Sequence, residues 1–349
     1  MRIAGAGSAF PQHRYRQAAI TAALQDIWRE KLDNPEVLRR LHSRCGVDFR
    51  YMALPLEAYP AVDTFGKNNN AWIETAQEIG EDAICRAITP AGIEPDEIDA
   101  LFFTSVTGIC SPSVDARLVN RMKLQPSIKR LPIFGLGCVA GAAGIARAAD
   151  YVRAFPDEVA VLLSVELCSL TWQRDDVSVA NLISSGLFGD GAAAVVIAGS
   201  ETRFPGPEVV ATKSVFYPDS EDVMGWDVSE RGFRIVLSPD VPNVITEHLR
   251  ADVDEFLGER GMARSDIASW IVHTGGPKVL DAVQSALHLP REALAASWES
   301  LRSVGNLSSA SVLLVLQDFL ARRRGAPGTY SMLAAMGPGF CSELVLLRW

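Results

Sequence analysis

Apolar positions along the chain fall into two alternating patterns. Short apolar runs at Ile98 to Thr104, Val159 to Val165, Ala192 to Ala198 and Leu344 to Leu347 have the length and composition of strands buried on both faces. Between them the spacing is helical: Ile73, Ala76, Ile79, Ala83, Ile84 and Ala87 predict a helix from Trp72 to Ile88 that Thr89-Pro90 stops, and Ile245 to Leu257 predicts another. Residues 2–8 read as a first strand, Arg14 to about Leu41 as helix, and Ser43 to Tyr51 as a basic loop or short strand. This alternation predicts an α/β fold with a mostly parallel sheet covered by helices on both faces.

One stretch organises the rest. From Leu131 an apolar run ends in Gly135 and Gly137, Cys138 follows, and small residues at helical spacing continue to about Val152. That is a strand, a tight turn and a helix, with Cys138 near the helix N-terminus. A thiolate there is favoured by unpaired N–H groups, which lowers the thiol pKa from about 8.5. Cys138 is therefore a candidate nucleophile, and a buried structural thiol is the alternative.

The second half repeats the plan. Asp266 to His273 echoes the acid-Ile-apolar run ending in Thr104, and Ser303 to Ser311 opens a helix as Gly137-Cys138 does. His273 lies 169 positions after Thr104, and Asn306 lies 168 after Cys138. Two element matches at nearly one offset indicate a duplication, with halves at 1–200 and 201–349. The small residues after Cys138 and after Asn306 suit a shared central helix layer, in which the two helix starts face one region.

Composition narrows the function. A net charge of −9 argues against a general nucleic-acid binder, and no stretch has the length and apolarity of a membrane span. The opening residues lack the pattern of a signal peptide, and six scattered cysteines without metal spacing suit a reduced, cytoplasmic protein with no structural metal. Of five histidines, His248 and His288 read as solvated helix residues, and His13 and His42 carry no chemical context. His273 differs, because it ends an apolar strand and precedes Thr274-Gly275-Gly276-Pro277. A histidine within reach can hold a cysteine as thiolate, while histidine and asparagine can donate to an oxyanion on a thioester carbonyl. A thiol protease uses the same residue types, but no protease-type cysteine motif is present.

Five blocks carry a resemblance: Gly137-Cys138, His273 to Pro277, Gly305 to Ser309, Leu187 to Ala192, and Gly337 to Gly339. Together they resemble the type III polyketide synthases of the chalcone synthase group. The resemblance implies the thiolase fold in a duplicated five-layer αβαβα arrangement, a homodimer, and iterative condensation on CoA esters without carrier protein, organic cofactor or metal. It implies Cys138 as nucleophile, with His273 and Asn306 stabilising the oxygen during malonyl-CoA decarboxylation. Phe188 would stand where the CoA tunnel meets the cavity, and Phe233 or Ile235 would take the place of a second aromatic gate. Ser308, Cys168, Thr171 and Val106 would line the substrate pocket, and Arg44, Arg50, Lys278 and Gly276 would contact CoA. The stretches Arg50 to Glu57 and Thr171 to Asp176 resemble bacterial members that take medium- or long-chain acyl-CoA starters to alkylpyrones or alkylresorcinols. The alternatives are a tetrahydroxynaphthalene synthase fed by malonyl-CoA alone, a carrier-protein-dependent ketoacyl synthase, and a non-catalytic partner subunit, which the retained cysteine argues against.

Overall fold

The computed structural model describes residues 1–322 and 325–349. The first half runs β1 (Arg2–Ala9), β2 (His13–Arg16), α1 (Gln17–Ile27), α2 (Glu36–Ser43), β3 (Phe49–Met52), α3 (Phe65–Ile88), β4 (Ala100–Thr104), α4 (Val114–Met122), β5 (Lys129–Ile133), α5 (Ala140–Ala154), β6 (Val159–Leu167), α6 (Val179–Leu187) and β7 (Asp190–Ala198). The second runs β8 (Glu208–Phe216), β9 (Met224–Ser229), β10 (Gly232–Leu237), α7 (Val241–Gly258), β11 (Ile267–Val272), α8 (Pro277–Leu287), α9 (Ala295–Val304), α10 (Ser309–Arg322), β12 (Tyr330–Gly337) and β13 (Cys341–Arg348).

Among the described residues a nine-stranded sheet has the order β11-β12-β13-β8-β1-β7-β6-β4-β5. Its halves meet between β8 and β1 at a single residue pair, Arg2 with Glu208. The order β4-β6-β7-β1 in one half is matched by β11-β12-β13-β8 in the other, which is the expected duplication. The expectation of a mostly parallel sheet is corrected. Only β4 with β5, β4 with β6, and β11 with β12 run parallel, whereas β6, β7 and β1, and likewise β12, β13 and β8, are antiparallel. Apolar content specifies burial of both faces and is silent on strand direction.

Alternate residues of the strands feed two different cores, because successive side chains leave a strand on opposite faces. From β6, Val161, Leu163 and Val165 join α3 in an outer core, while Ala160 and Leu162 join α5 and α10 in the central one. From β12 and β13, Leu333, Val345 and Leu347 enter that central core, and Met332, Ala334, Leu344 and Leu346 pack with α7 and α8. The outcome is five layers, helix, strand, helix, strand, helix, with α5 and α10 in the middle. Close approach there needs glycine: a Cβ on Gly141 would lie 2.3 Å from the Ser309 carbonyl oxygen.

Two helix expectations change. Arg14 to Leu41 is not one helix, since His13–Arg16 pairs antiparallel with Phe49–Met52 and Pro35 separates α1 from α2. Helix α3 begins at Phe65 rather than Trp72, capped by the Thr64 side chain accepting from the Lys67 N–H. Its first two turns carry Lys67, Asn68, Asn69 and Asn70, so no apolar period announces them.

Candidate active site

Cys138 stands in a short 3-10 turn, Gly137–Val139, that leads into α5. Gly137 has φ +54, and a Cβ there would lie 2.7 Å from the Pro338 ring. Gly137→Ala therefore forces both a left-handed alanine and a shift of the β12–β13 turn. It is expected to destabilise the fold by about 2 kcal/mol or more, read as a lower midpoint of chemical denaturation.

Asn306 and Ser308 lie between α9 and α10. The Asn306 Oδ1 accepts from the Ser308 N–H at 2.8 Å and from the Ser311 hydroxyl at 3.4 Å, which leaves the amide NH₂ as the available donor. The Cys138 thiol donates to the Ser308 hydroxyl at 3.7 Å. His273 follows β11, its N–H donating to the Ala334 carbonyl at 3.0 Å, and neither ring nitrogen has a hydrogen-bond partner among the described residues. The histidine-cysteine ion pair anticipated from sequence is thus not the arrangement present, because the thiol is engaged with Ser308.

Burial dominates the electrostatics. It pushes the Cys138 thiol up to about 12, against opposing hydrogen bonds from Ser308 and Asn306, and lowers the His273 imidazole to about 4. The lowered thiol expected from the helix start is overridden by desolvation. Both shifts favour the neutral thiol and the neutral imidazole, the forms that burial leaves least costly.

Cys138, His273, Asn306 and Phe188 all line one cavity of about 520 Å³, within the range of small-molecule sites. Gly276, Arg44 and Lys278 line it as well, and both cations are exposed. Helix α6 supplies Val179, Ala180, Ile183 and Leu187, and α7 supplies Val241, Pro242, Ile245 and Leu249. These apolar walls were not singled out from sequence, where Ile245 to Leu257 reads only as an amphipathic helix and residues 179–187 carry no secondary-structure assignment. Backbone hydrogen bonds tie Phe188 to Asn306: Gly189 N–H to the Asn306 carbonyl and Asn306 N–H to the Leu187 carbonyl, each 2.9 Å.

The remaining expected pocket residues lie elsewhere. Val106, Cys168, Thr171, Phe233 and Ile235 are not among the residues lining the cavity. Cys168 and Thr171 are buried in a 3-10 turn, behind which the Tyr59 hydroxyl meets Ser169 at 2.5 Å and the Tyr59 ring packs 5.1 Å from Trp172. Phe233 is buried against Phe65, Phe134 and Trp226, and Ile235 is half-buried, opposite Trp226 in the β9–β10 hairpin. Arg50 is fully buried and donates to the Phe188 carbonyl, so it cannot meet a CoA phosphate arriving from solvent.

Sequence reasoning also missed two buried carboxylates. Glu166 accepts from the Val106 N–H at 3.1 Å, from Thr107 and Ser105 hydroxyls, and from Ser309 at the start of α10. Asp190 accepts from the Ala53 and Ser169 N–H groups, and burial raises it to about 6. A lone acid in the otherwise apolar run Val159–Leu167 was the available signal for Glu166.

A duplicated five-layer α/β fold with cysteine, histidine and asparagine on one cavity defines a class of thioester-handling enzyme, and the comparisons make it specific. The N-terminal domain model of the chalcone and stilbene synthases matches residues 2–202, and the C-terminal domain model matches residues 208–349. The chain belongs to this family, the type III polyketide synthases, and is an acyltransferase-type enzyme. A 1,3,6,8-tetrahydroxynaphthalene synthase of Streptomyces peucetius subsp. caesius is 50% identical over 350 residues, covering 99% of this chain and 93% of the relative. A putative chalcone synthase of Bacillus subtilis (strain 168) is 34% identical, covering 99% and 98%. Among solved structures, the 1,3,6,8-tetrahydroxynaphthalene synthase of Streptomyces coelicolor A3(2), a bacterial type III polyketide synthase, superposes with a TM-score of 0.94 at 31% identity, over 100% of this chain and 99% of that one.

Proposed function

We propose that this enzyme uses malonyl-CoA as both starter and extender and releases 1,3,6,8-tetrahydroxynaphthalene. The single observation that carries this over an alkyl-chain starter is the half-identical relative of that activity. The cavity is consistent with it: Cys168 and Thr171, where an alkyl tunnel was expected, are buried and do not line it, and Tyr59 packs against the same turn through Ser169 and Trp172. The medium- or long-chain acyl-CoA and its pyrone or resorcinol product therefore give way to the malonyl-only alternative.

In this reading Cys138 is the nucleophile. His273 takes its proton as sulfur attacks the malonyl-CoA carbonyl, and the CoA thiolate leaves and is protonated. His273 and the Asn306 amide then donate to the thioester oxygen of a malonyl unit while its carbon–carboxylate bond breaks. The electron pair stays behind as an enolate, and carbon dioxide departs past the apolar face of Phe188, which disfavours the carboxylate. The enolate carbon attacks the Cys138 thioester, the carbon–sulfur bond breaks, and the lengthened chain leaves on CoA to be reloaded. Arg44 and Lys278, exposed at the cavity mouth beside Gly276, hold the CoA phosphates. No metal or organic cofactor has a part in these steps. Strand β5 forms a sheet edge with Leu131 and Phe134 exposed, and we assign it to the contact of a homodimer. No helix among the described residues is long and apolar enough to cross a membrane, in keeping with a cytoplasmic enzyme.

Incubation with malonyl-CoA alone, followed by mass spectrometry, should give the naphthalene product. Adding a long-chain acyl-CoA should leave its yield unchanged or lower it by competition. A product that forms only with the acyl-CoA present would overturn the proposal.

A further inference from the structure

Among the described residues Arg50 is the largest fully buried cationic side chain, and the mechanism above does not use it. Carrying a charge into a site with no exposure is costly unless hydrogen bonds satisfy it, so its partners indicate its purpose. Nη1 donates to the Phe188 carbonyl at 2.6 Å, and Nε donates to the Gln17 side chain at 3.1 Å. Gln17 in turn donates to the Gly186 carbonyl at 2.7 Å. Arg50 and Gln17 thus grip two carbonyls at the C-terminal end of α6, where the helix dipole favours a positive charge. The aliphatic stem lies against the other partner segment. A Cβ on Gly305, the residue before Asn306, would lie 3.2 Å from the Arg50 Cδ, and one on Gly189 would lie 3.6 Å from its Cγ. One side chain therefore contacts both strands of the bridge that joins Phe188 to Asn306.

We infer that Arg50 is a positioning residue: it locks the Phe188 segment and the Asn306 segment into one register, so that the cavity wall and the oxyanion donor are set together. The bridge itself has only two backbone hydrogen bonds, between chain segments that belong to different halves of the duplication. Arg50 comes from a third element, β3, which is anchored independently by its pairing with β2. The inference rests on the proposed roles of Phe188 and Asn306.

The test uses Arg50→Lys, which keeps a charge but cannot span both acceptors, with Gln17→Leu as a second, milder variant should Arg50→Lys fold poorly. Carbon dioxide release from labelled malonyl-CoA is measured for kcat and KM, and Cys138 accessibility is followed by its rate of iodoacetamide alkylation. Misplacing catalytic groups by about 1 Å costs on the order of 10²-fold. Arg50→Lys is expected to lose about 10- to 100-fold in kcat, and Gln17→Leu about 3- to 10-fold, with KM and alkylation rate within about twofold of wild type. A folded Arg50→Lys protein with kcat within about threefold of wild type would overturn the inference. So would parallel losses in KM and alkylation rate, which mark general loosening. Wild-type enzyme that releases no carbon dioxide from malonyl-CoA would instead refute the proposed function.

Discussion

Cys138→Ala is expected to abolish polyketide formation, by at least about 10³-fold, while carbon dioxide release from malonyl-CoA stays measurable. The asymmetry follows from the division of labour around the cavity. Chain loading needs a sulfur atom to form the thioester, and no other cysteine lines the cavity at a comparable position: Cys45 bonds back to the Leu41 carbonyl, and Cys168 lies outside the lining. In the proposed mechanism decarboxylation needs donors at the thioester oxygen, and His273 and the Asn306 amide are assigned that part without the thiol. The measurement is paired: product by mass spectrometry and labelled carbon dioxide by trapping. Full product formation in the alanine variant would remove Cys138 from the chemistry.

The second large effect belongs to His273→Ala, which in the proposed mechanism removes both a proton acceptor and an oxyanion donor. One such donor is worth about 10²–10³-fold and general-base help about 10²–10⁴-fold, so a combined loss of about 10³–10⁴-fold in product formation is expected. The pH dependence separates the roles. Burial, only partly offset by hydrogen bonds from Ser308 and Asn306, pushes the Cys138 thiol up to about 12, and burial lowers the His273 imidazole to about 4. In the proposed mechanism His273 receives the thiol proton as the sulfur attacks. Without it, a thiolate must form unpaired in a buried site, and raising the pH is the only way to make it. Alkylation of Cys138 in His273→Ala should therefore be slower at neutral pH, with a midpoint above the ordinary cysteine value of about 8.5 and above that of wild type. Identical midpoints in the two proteins would exclude His273 as the proton acceptor.

Much of the fold was legible because burial on both faces leaves continuous apolar runs, and because the two halves reuse one plan at nearly one offset. The same offset puts Cys138, Asn306 and His273 at the ends or starts of equivalent elements in the two halves. Strand direction was not legible: β6 and β7 are separated by α6, a spacing that suits a parallel crossover as well as the antiparallel pairing that occurs. Arg50 misled for a different reason. It sits among Arg44, Phe49 and Tyr51 in a stretch that reads as a basic loop or short strand, and its partners are a glutamine and a backbone carbonyl, which leave no mark on the sequence around it. The Cys168–Thr171 turn shows the same limit. Whether small residues border an open tunnel or a filled wall depends on Tyr59, which is distant in the chain and close only in space.

The halves of the sheet touch through one residue pair, with Cys138 and Asn306 just before the two central helices and His273 at the end of β11. Neither half can hold a complete set: Cys138 comes from one, His273 and Asn306 from the other. Variation in such a molecule should be unevenly tolerated. Outside Gln17 and Lys278, the outer helices α1, α7 and α8 can drift in sequence as long as their apolar faces are kept. At Gly141, pressed against the Ser309 carbonyl, a single added methyl group would pry the two halves apart and separate the sulfur from the amide. The joint between the copies, rather than either copy, is the unit on which selection for catalysis acts.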